Sequence, residues 1–305
     1  MKLTRRNFIT TASILLSGVS VSARQPGAKK FKPIRFGMIT DIHYADLPEN
    51  TSTNRYYKQS LRKVAECVDV MNSEKVDFLI ELGDLKDQGN PPDETTTLNY
   101  LSVIEKELCH FKGPLYHVLG NHDHDSISKT QFLGSISNSG FSRALNHYSF
   151  NKNSLHFVVL DTNYTSAGKP YDHGNFNWTD AHLPEVQLNW LINDLQMNKM
   201  PTIVFVHHQL DSCSIPDKRH CPDNADEVRR ILEQSGQVLA TFQGHYHQGG
   251  LNKINNIFYY TLKAVVEGSG DENNNYAIIE IGQDLSINIT GFRQTRSINL
   301  ATLPA

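Results

Sequence analysis

Five short apolar runs in this chain each lead into a cluster of Asp, His or Asn, and that arrangement limits the fold more than any other feature. Ile34 to Ile39 runs into Asp41-Ile42-His43, and Val76 to Leu82 into Gly83-Asp84-Leu85-Lys86-Asp87. Leu115 to Leu119 leads to Gly120-Asn121-His122-Asp123, Thr202 to Val206 to His207-His208, and Val238 to Phe242 to Gly244-His245-Tyr246-His247. Helical patterns separate the first three runs: Tyr57, Leu61, Val64, Val68 and Met71 recur at three- and four-residue spacing, as do Leu98, Leu101, Ile104 and Leu108. Strand, helix and strand in succession predict parallel β-α-β units. In open α/β sheets ligands lie beyond the carboxyl ends of the strands, so five clusters at five strand ends are expected to meet in one cleft.

Further strands are predicted at Tyr148–Phe150, Leu155–Leu160, Ile257–Thr261, Tyr276–Ile281 and Ser286–Thr290, and further helices at Pro184–Met197 and Ala225–Gln234. The order is α/β first and β-rich last. With 39% hydrophobic and 20% charged residues over 305 positions, the chain has the composition of a folded domain rather than of a disordered one.

Taken singly the clusters say little, since Asp-x-His and Gly-Asp are common in turns and a lone His is more often structural than a ligand. Together they concentrate six of the chain's 14 His at strand ends. Imidazole mixed with carboxylate and amide oxygen suits divalent Mn, Fe or Zn better than Ca or Mg, and the lack of a thiolate in the set argues against a structural zinc.

The five motifs, in this order, resemble the calcineurin-like metallophosphoesterase superfamily: Asp-x-His, Gly-Asp, Gly-Asn-His-Asp, a His after an apolar strand, and Gly-His-x-His. The likeness spans residues 34 to 250. It implies a four-layer αββα sandwich with the active site at the C-terminal ends of the strands. Within the superfamily the chain is most similar to the manganese-dependent ADP-ribose and CDP-alcohol pyrophosphatases, through Gln187-Leu188-Asn189-Trp190-Leu191, Asn224-Ala225-Asp226-Glu227-Val228, Glu267-Gly268 and Gly291-Phe292-Arg293-Gln294. Purple acid phosphatases carry a metal-binding Tyr three residues after the bridging Asp, where this chain has Asp87.

The resemblance implies two divalent ions, one on Asp41, His43 and His247, the other on Asn121, His207 and His245, with Asp84 bridging them. Such a pair activates a shared water and clamps the attacking and leaving oxygens. His122 is then expected to protonate the leaving group or stabilise charge on the phosphoryl oxygens, with Asp123 orienting its ring; the alternative for Asp123 is a helix cap. His208 is either a packed neighbour or a phosphate contact. The expected reaction is hydrolysis of a phosphodiester or pyrophosphate in a nucleotide-like small molecule, with a phosphomonoesterase as the alternative and a non-catalytic phosphate- or nucleotide-binding protein further behind. Tyr164, Tyr171, His173, Phe176 and Trp178, in the loop from Asn163 to His182, are candidates to line the substrate pocket or to pack over the sheet.

The N-terminus predicts export. Arg5-Arg6 before Phe8-Ile9, a modest apolar stretch from Thr10 to Val21 and the small residues around Ala23 read as a twin-arginine-type signal over residues 1–23, with a linker over 24–33 and the catalytic domain over 34–305. The stretch is too short and polar for a stable membrane anchor. Removing Lys2, Arg5 and Arg6 with the signal takes the net charge from −3 to −6. Attraction for phosphate must therefore be local, as bound metal provides, and no basic stripe suggests nucleic acid as a partner. In an exported protein, Cys213 with Cys221 is a candidate disulfide, while Cys67 and Cys109 are either a second pair or buried thiols.

Overall fold

Alternation along the strands decides which side of each sheet meets which layer. In the computed structural model, which describes residues 32–300 apart from Phe176, twelve strands form two six-stranded sheets. The predicted export segment and most of the linker lie outside the described residues. The first sheet holds β1 (Ile34–Ile39), β2 (Phe78–Glu81), β3 (Leu115–His117), β10 (Tyr276–Ile281), β11 (Ile287–Phe292) and β12 (Ile298–Asn299), in the order β12-β11-β10-β1-β2-β3. The second holds β4 (Tyr148–Lys152), β5 (Leu155–Val159), β6 (Thr202–Phe205), β7 (Val238–Gln243), β8 (Gly250–Ile254) and β9 (Ile257–Thr261), in the order β4-β5-β6-β7-β9-β8. The metal-motif strands pair in parallel, β1 with β2, β2 with β3, and β6 with β7, so their C-terminal ends point the same way within each sheet.

Phe36, Met38, Phe78 and Ile80 of the first sheet and Phe157, Phe205 and Phe242 of the second face one another in a common buried core. Phe36 stacks on Phe78 at 4.7 Å between ring centroids and meets Phe205 and Phe242 edge-on at 5.7 and 5.9 Å. Rings offset or perpendicular in this way avoid facing their like-signed π clouds while burying large apolar areas. Alternate residues point outward. Ile39 and Leu79 meet α1 (Ser60–Glu74), α2 (Glu94–Leu108) and α3 (Lys129–Ser135), while Val158, Val204 and Val206 meet α4 (Glu185–Met197) and α5 (Ala225–Ser235). Helices, sheet, sheet and helices thus form the expected four-layer αββα sandwich.

The helices end where their chemistry dictates. The Asp93 carboxylate accepts the Thr96 N–H at 2.6 Å to cap α2, and α1 and α5 close on Lys75 and Gly236 in the left-handed region at φ 52° and 68°. Three elements lie beyond the sequence reading: α3, opened by a reciprocal Ser128–Gln131 capping box, and the edge strands β8 and β12. The expected disulfides are not formed. All four cysteines are free; Cys67 and Cys221 are buried in different apolar clusters while Cys109 and Cys213 are exposed. Among the described residues no helix is long and apolar enough to cross a membrane.

Candidate active site

Three of the five motifs leave their strands through a backbone that few side chains adopt. Asp41, His43, Asp84 and His245 all have positive φ, at 50°, 45°, 60° and 65°, values that cost non-glycine residues roughly 1–3 kcal/mol each. Hydrogen bonds hold them there: the N–H groups of Asp41 and His43 donate to the carbonyls of Gly83 and Asp84, and the Gly244 N–H donates to His207. Gly120 is required by contact, since a Cβ there would stand 2.1 Å from the Asp84 nitrogen.

Two clusters result, and each draws on both sheets. Asp41 and His43, after β1, meet His247, after β7; Asp84, after β2, meets His207 and His245, after β6 and β7, and also His43. The Asp84 Oδ2 lies 3.4 Å from His43 Nε2 and 3.3 Å from His207 Nε2, placing one carboxylate oxygen between the clusters, while Oδ1 accepts the His122 N–H at 2.7 Å. Asn121 joins the second cluster, its Oδ1 3.2 Å from His207 Nε2. Thus all seven residues expected to be ligands, Asp41, His43, Asp84, Asn121, His207, His245 and His247, are brought to one cleft.

The donor set fits divalent cations. His207 Nδ1 donates to the Leu82 carbonyl at 2.8 Å and His247 Nδ1 to Glu267 at 2.9 Å, which in the neutral rings leaves the Nε2 lone pairs facing Asn121 Oδ1 and Asp41 Oδ1. Acceptors set against acceptors call for a cation between them. Among the described residues, His43 Nε2 and His245 Nε2 are also buried without a hydrogen-bond partner. Burial opposes charge on His207, but Asp84 and Asp41 outweigh it and push its pKa up to about 10, a measure of the negative field awaiting positive charge.

His122 stands beside these clusters, its ring 4.6 Å from that of His43. Asp123 does not orient it. The Asp123 carboxylate is committed to the backbone, accepting from Gly120 at 2.8 Å, Asp84 at 3.2 Å and Leu85 at 3.0 Å, and so locks the β2 and β3 loops together. Neither does it cap a helix, since it lies inside a single 3-10 turn, His122–His124, that no side chain caps. The acid beside the imidazole is Asp87, with Oδ1 3.4 Å from His122 Nδ1 and Oδ2 3.4 Å from His43 Nδ1. Burial disfavours the His122 cation, yet Asp87 and Asp84 push its pKa up to about 9. Buried Lys86 fixes the same loop, donating to the His122 carbonyl at 2.5 Å and pairing with Asp125. His208 is a packed neighbour whose Nδ1 lies 2.8 Å from the Thr162 hydroxyl.

The cleft encloses about 490 Å³, and its wall includes Arg55, Trp178, His220, Tyr246, Gln248 and Glu267. Sequence reasoning missed Asp87, Arg55 and His220 as site residues and named Glu267 without a role. Of the described loop aromatics, only Trp178 lines the cleft: Tyr171 is buried, Tyr164 lies under Lys129 and His173 pairs with Asp172 and Glu94, while Phe176 is outside the described residues.

Two cation-binding clusters sharing one aspartate at the strand ends of an αββα sandwich define a dimetal phosphoesterase. The chain belongs to the calcineurin-like phosphoesterase family, whose model matches residues 34–249. It is 26% identical over 284 residues to a manganese-dependent ADP-ribose/CDP-alcohol diphosphatase of Arabidopsis thaliana, covering 81% of this chain and 88% of that protein. It is likewise 26% identical over 230 residues to a 3',5'-cyclic-nucleotide phosphodiesterase of Nostoc sp., covering 74% and 76%. In fold it resembles a dimetal phosphatase from Danio rerio, with TM-score 0.75 at 22% identity over 88% of this chain and 98% of that one. The protein is a metal-dependent hydrolase of phosphoric esters.

Proposed function

We propose that this enzyme hydrolyses phosphodiester or pyrophosphate bonds in nucleotide-like small molecules, with manganese as the working metal. The observation that carries the reading is Asp84, whose Oδ2 lies within 3.4 Å of imidazoles from both clusters. The names of the Arabidopsis and Nostoc relatives support the substrate class and, for the former, the metal. Asp41, His43 and His247 would hold one ion, Asn121, His207 and His245 the other, and Asp84 both. Bound there, the ions supply Lewis-acid pull on the phosphoryl oxygens and an acidified water. Asp84 is positioned for its shared role by the His122 N–H, and Glu267 fixes the tautomer of His247. His122, held by Asp87, donates the proton that the leaving oxygen needs. The test is kcat/KM for ADP-ribose, a CDP-alcohol, bis-nitrophenyl phosphate and nitrophenyl phosphate on manganese-loaded enzyme. A preference of tenfold or more for the monoester over all three others, ~1.4 kcal/mol of differential barrier, overturns the assignment.

We propose further that the protein is exported folded, on the strength of Arg5-Arg6 and the apolar stretch behind them. Substituting both arginines by lysine should retain the full-length chain in the cytoplasm; unchanged appearance of processed protein outside it refutes this.

A further inference from the structure

Trp178 is one of only two tryptophans in the chain, and it is 38% exposed although it lies beside the most buried chemistry of the fold. Its ring centroid is 6.2 Å from that of His245 and 5.2 Å from that of His220, which in turn sits 5.0 Å from Tyr246. All four side chains line the same cleft. The loop that carries the indole is also braced. The buried Tyr171 hydroxyl donates to the carbonyls of Asn177 at 3.2 Å and of Asp180, gripping the loop on either side of Trp178, and the Asn177 side chain accepts the Thr179 N–H at 3.1 Å. The Arg219 guanidinium lies 5.3 Å from the indole centroid, itself held by two bonds to Asp217 at 2.9 and 2.7 Å.

A large apolar ring held partly open to water next to a catalytic cleft has a cost that packing alone does not explain. The cleft, at about 490 Å³, is far larger than a phosphate group requires and falls within the range of small-molecule sites. We infer that Trp178, with His220 and Tyr246, forms an aromatic subsite that stacks the nucleobase of the substrate while its phosphate occupies the metal clusters. This deepens, and rests on, the phosphoesterase reading of the cleft. A flat ring is the ligand chemistry this wall fits: stacking on an indole accepts any base, because every base has a π face, while the Gln248 amide on the same wall is already engaged with Glu267 at 3.0 Å. Pre-mounting by Tyr171 and Arg219 lowers the ordering cost when the base arrives.

The test uses manganese-loaded full-length enzyme and two ligands that share a phosphate and a ribose, AMP and ribose 5-phosphate. In a Trp190→Phe background, AMP should quench the Trp178 emission and ribose 5-phosphate should not. By calorimetry, Trp178→Ala should weaken AMP roughly tenfold, within the span that alanine substitution causes at stacked bases, leave ribose 5-phosphate unchanged, and be largely rescued by Trp178→Phe. Equal affinity of the unsubstituted enzyme for the two ligands, or equal weakening of both by Trp178→Ala, overturns the subsite. Hydrolysis of bis-nitrophenyl phosphate by the unsubstituted manganese-loaded enzyme then shows that the metal-centre reading stands without it.

Discussion

Lys63 offers the sharpest test of how the first metal cluster is supported. This α1 residue is fully buried, and its ammonium donates to four backbone carbonyls of the 265–273 segment: Val265 at 2.6 Å, Gly268 at 2.8 Å, Glu267 at 3.2 Å and Asn273 at 3.3 Å. Among the described residues no acid forms an ion pair with it; the carbonyl dipoles act in place of a counter-ion. Burial pulls its pKa down to about 8. Lys63→Met keeps the volume but leaves the two buried acceptors, Val265 and Gly268, without a charged donor. At ~1.5–3 kcal/mol for each such bond, the substitution should cost ~3–6 kcal/mol of stability. For a domain of this size that lowers the melting temperature by ~6–12 °C. Because Glu267 lies on the same segment and holds His247, manganese uptake at the Asp41, His43 and His247 cluster should weaken by ~10- to 100-fold, the range seen when a ligand loses its supporting partner. Calorimetric melting and isothermal titration with manganese read both effects. Glu267→Gln is the companion: it should weaken the same metal while leaving the melting temperature of the metal-free protein within ~2 °C, as expected for a near-isosteric change at a partly exposed position. A Lys63→Met protein that melts and titrates like wild type refutes the reasoning.

Asp84→Ala should abolish uptake of both ions, since its Oδ2 lies within 3.4 Å of imidazoles from both clusters; metal analysis showing one ion fully retained counts against the shared ligand. His122→Ala should retain both metals yet slow hydrolysis ~10²–10⁴-fold, with a smaller loss for nitrophenyl than for alkyl leaving groups; equal losses would replace proton donation by electrostatic stabilisation. His117 lies buried between Glu81 and Glu105, 3.2 Å from each; burial opposes its charge, but the two acids push its pKa up to about 10. Its folded pKa exceeds the unfolded value of ~6.5, so its contribution is complete below that pH and is lost as pH rises towards about 10. Urea melts across this window should show that decline in wild type and a flatter profile in His117→Gln; parallel profiles would remove His117 as the cause.

Much of this architecture was legible in the sequence. Parallel strands buried on both faces must be continuous apolar runs, so β1, β2, β3, β6 and β7 stand out, and the polar clusters at their ends mark the cleft. The edge strand β8 does not stand out, because Gly250, Asn252 and Lys253 face partly to solvent and give no alternation. Nor does α3, whose seven residues are too few for a periodic signal, although its Ser128-x-x-Gln131 cap is a readable start. The expectation for Asp123 failed for a different reason. Sequence adjacency to His122 carries no direction, and after a tight turn the next side chain points away from its neighbour, towards the N–H groups of Gly120, Asp84 and Leu85. Asp87 reaches the imidazole across two loops, a relation that only the sheet register creates. Glu267 and Lys63 are likewise partners by folding rather than by spacing.

The phenylalanine stack between the sheets has a consequence for the chemistry it never touches. Each cluster able to hold a metal draws side chains from both sheets, so the separation of His43 from His247, or of Asp84 from His207, follows the thickness of the aromatic filling behind them. Phe36, Phe78, Phe205 and Phe242 act as a shim. Trimming one of them would let the sheets settle towards each other and alter the bite of both metal sites at once, so a variant in the middle of the sandwich is read out as a change in metal preference at its rim.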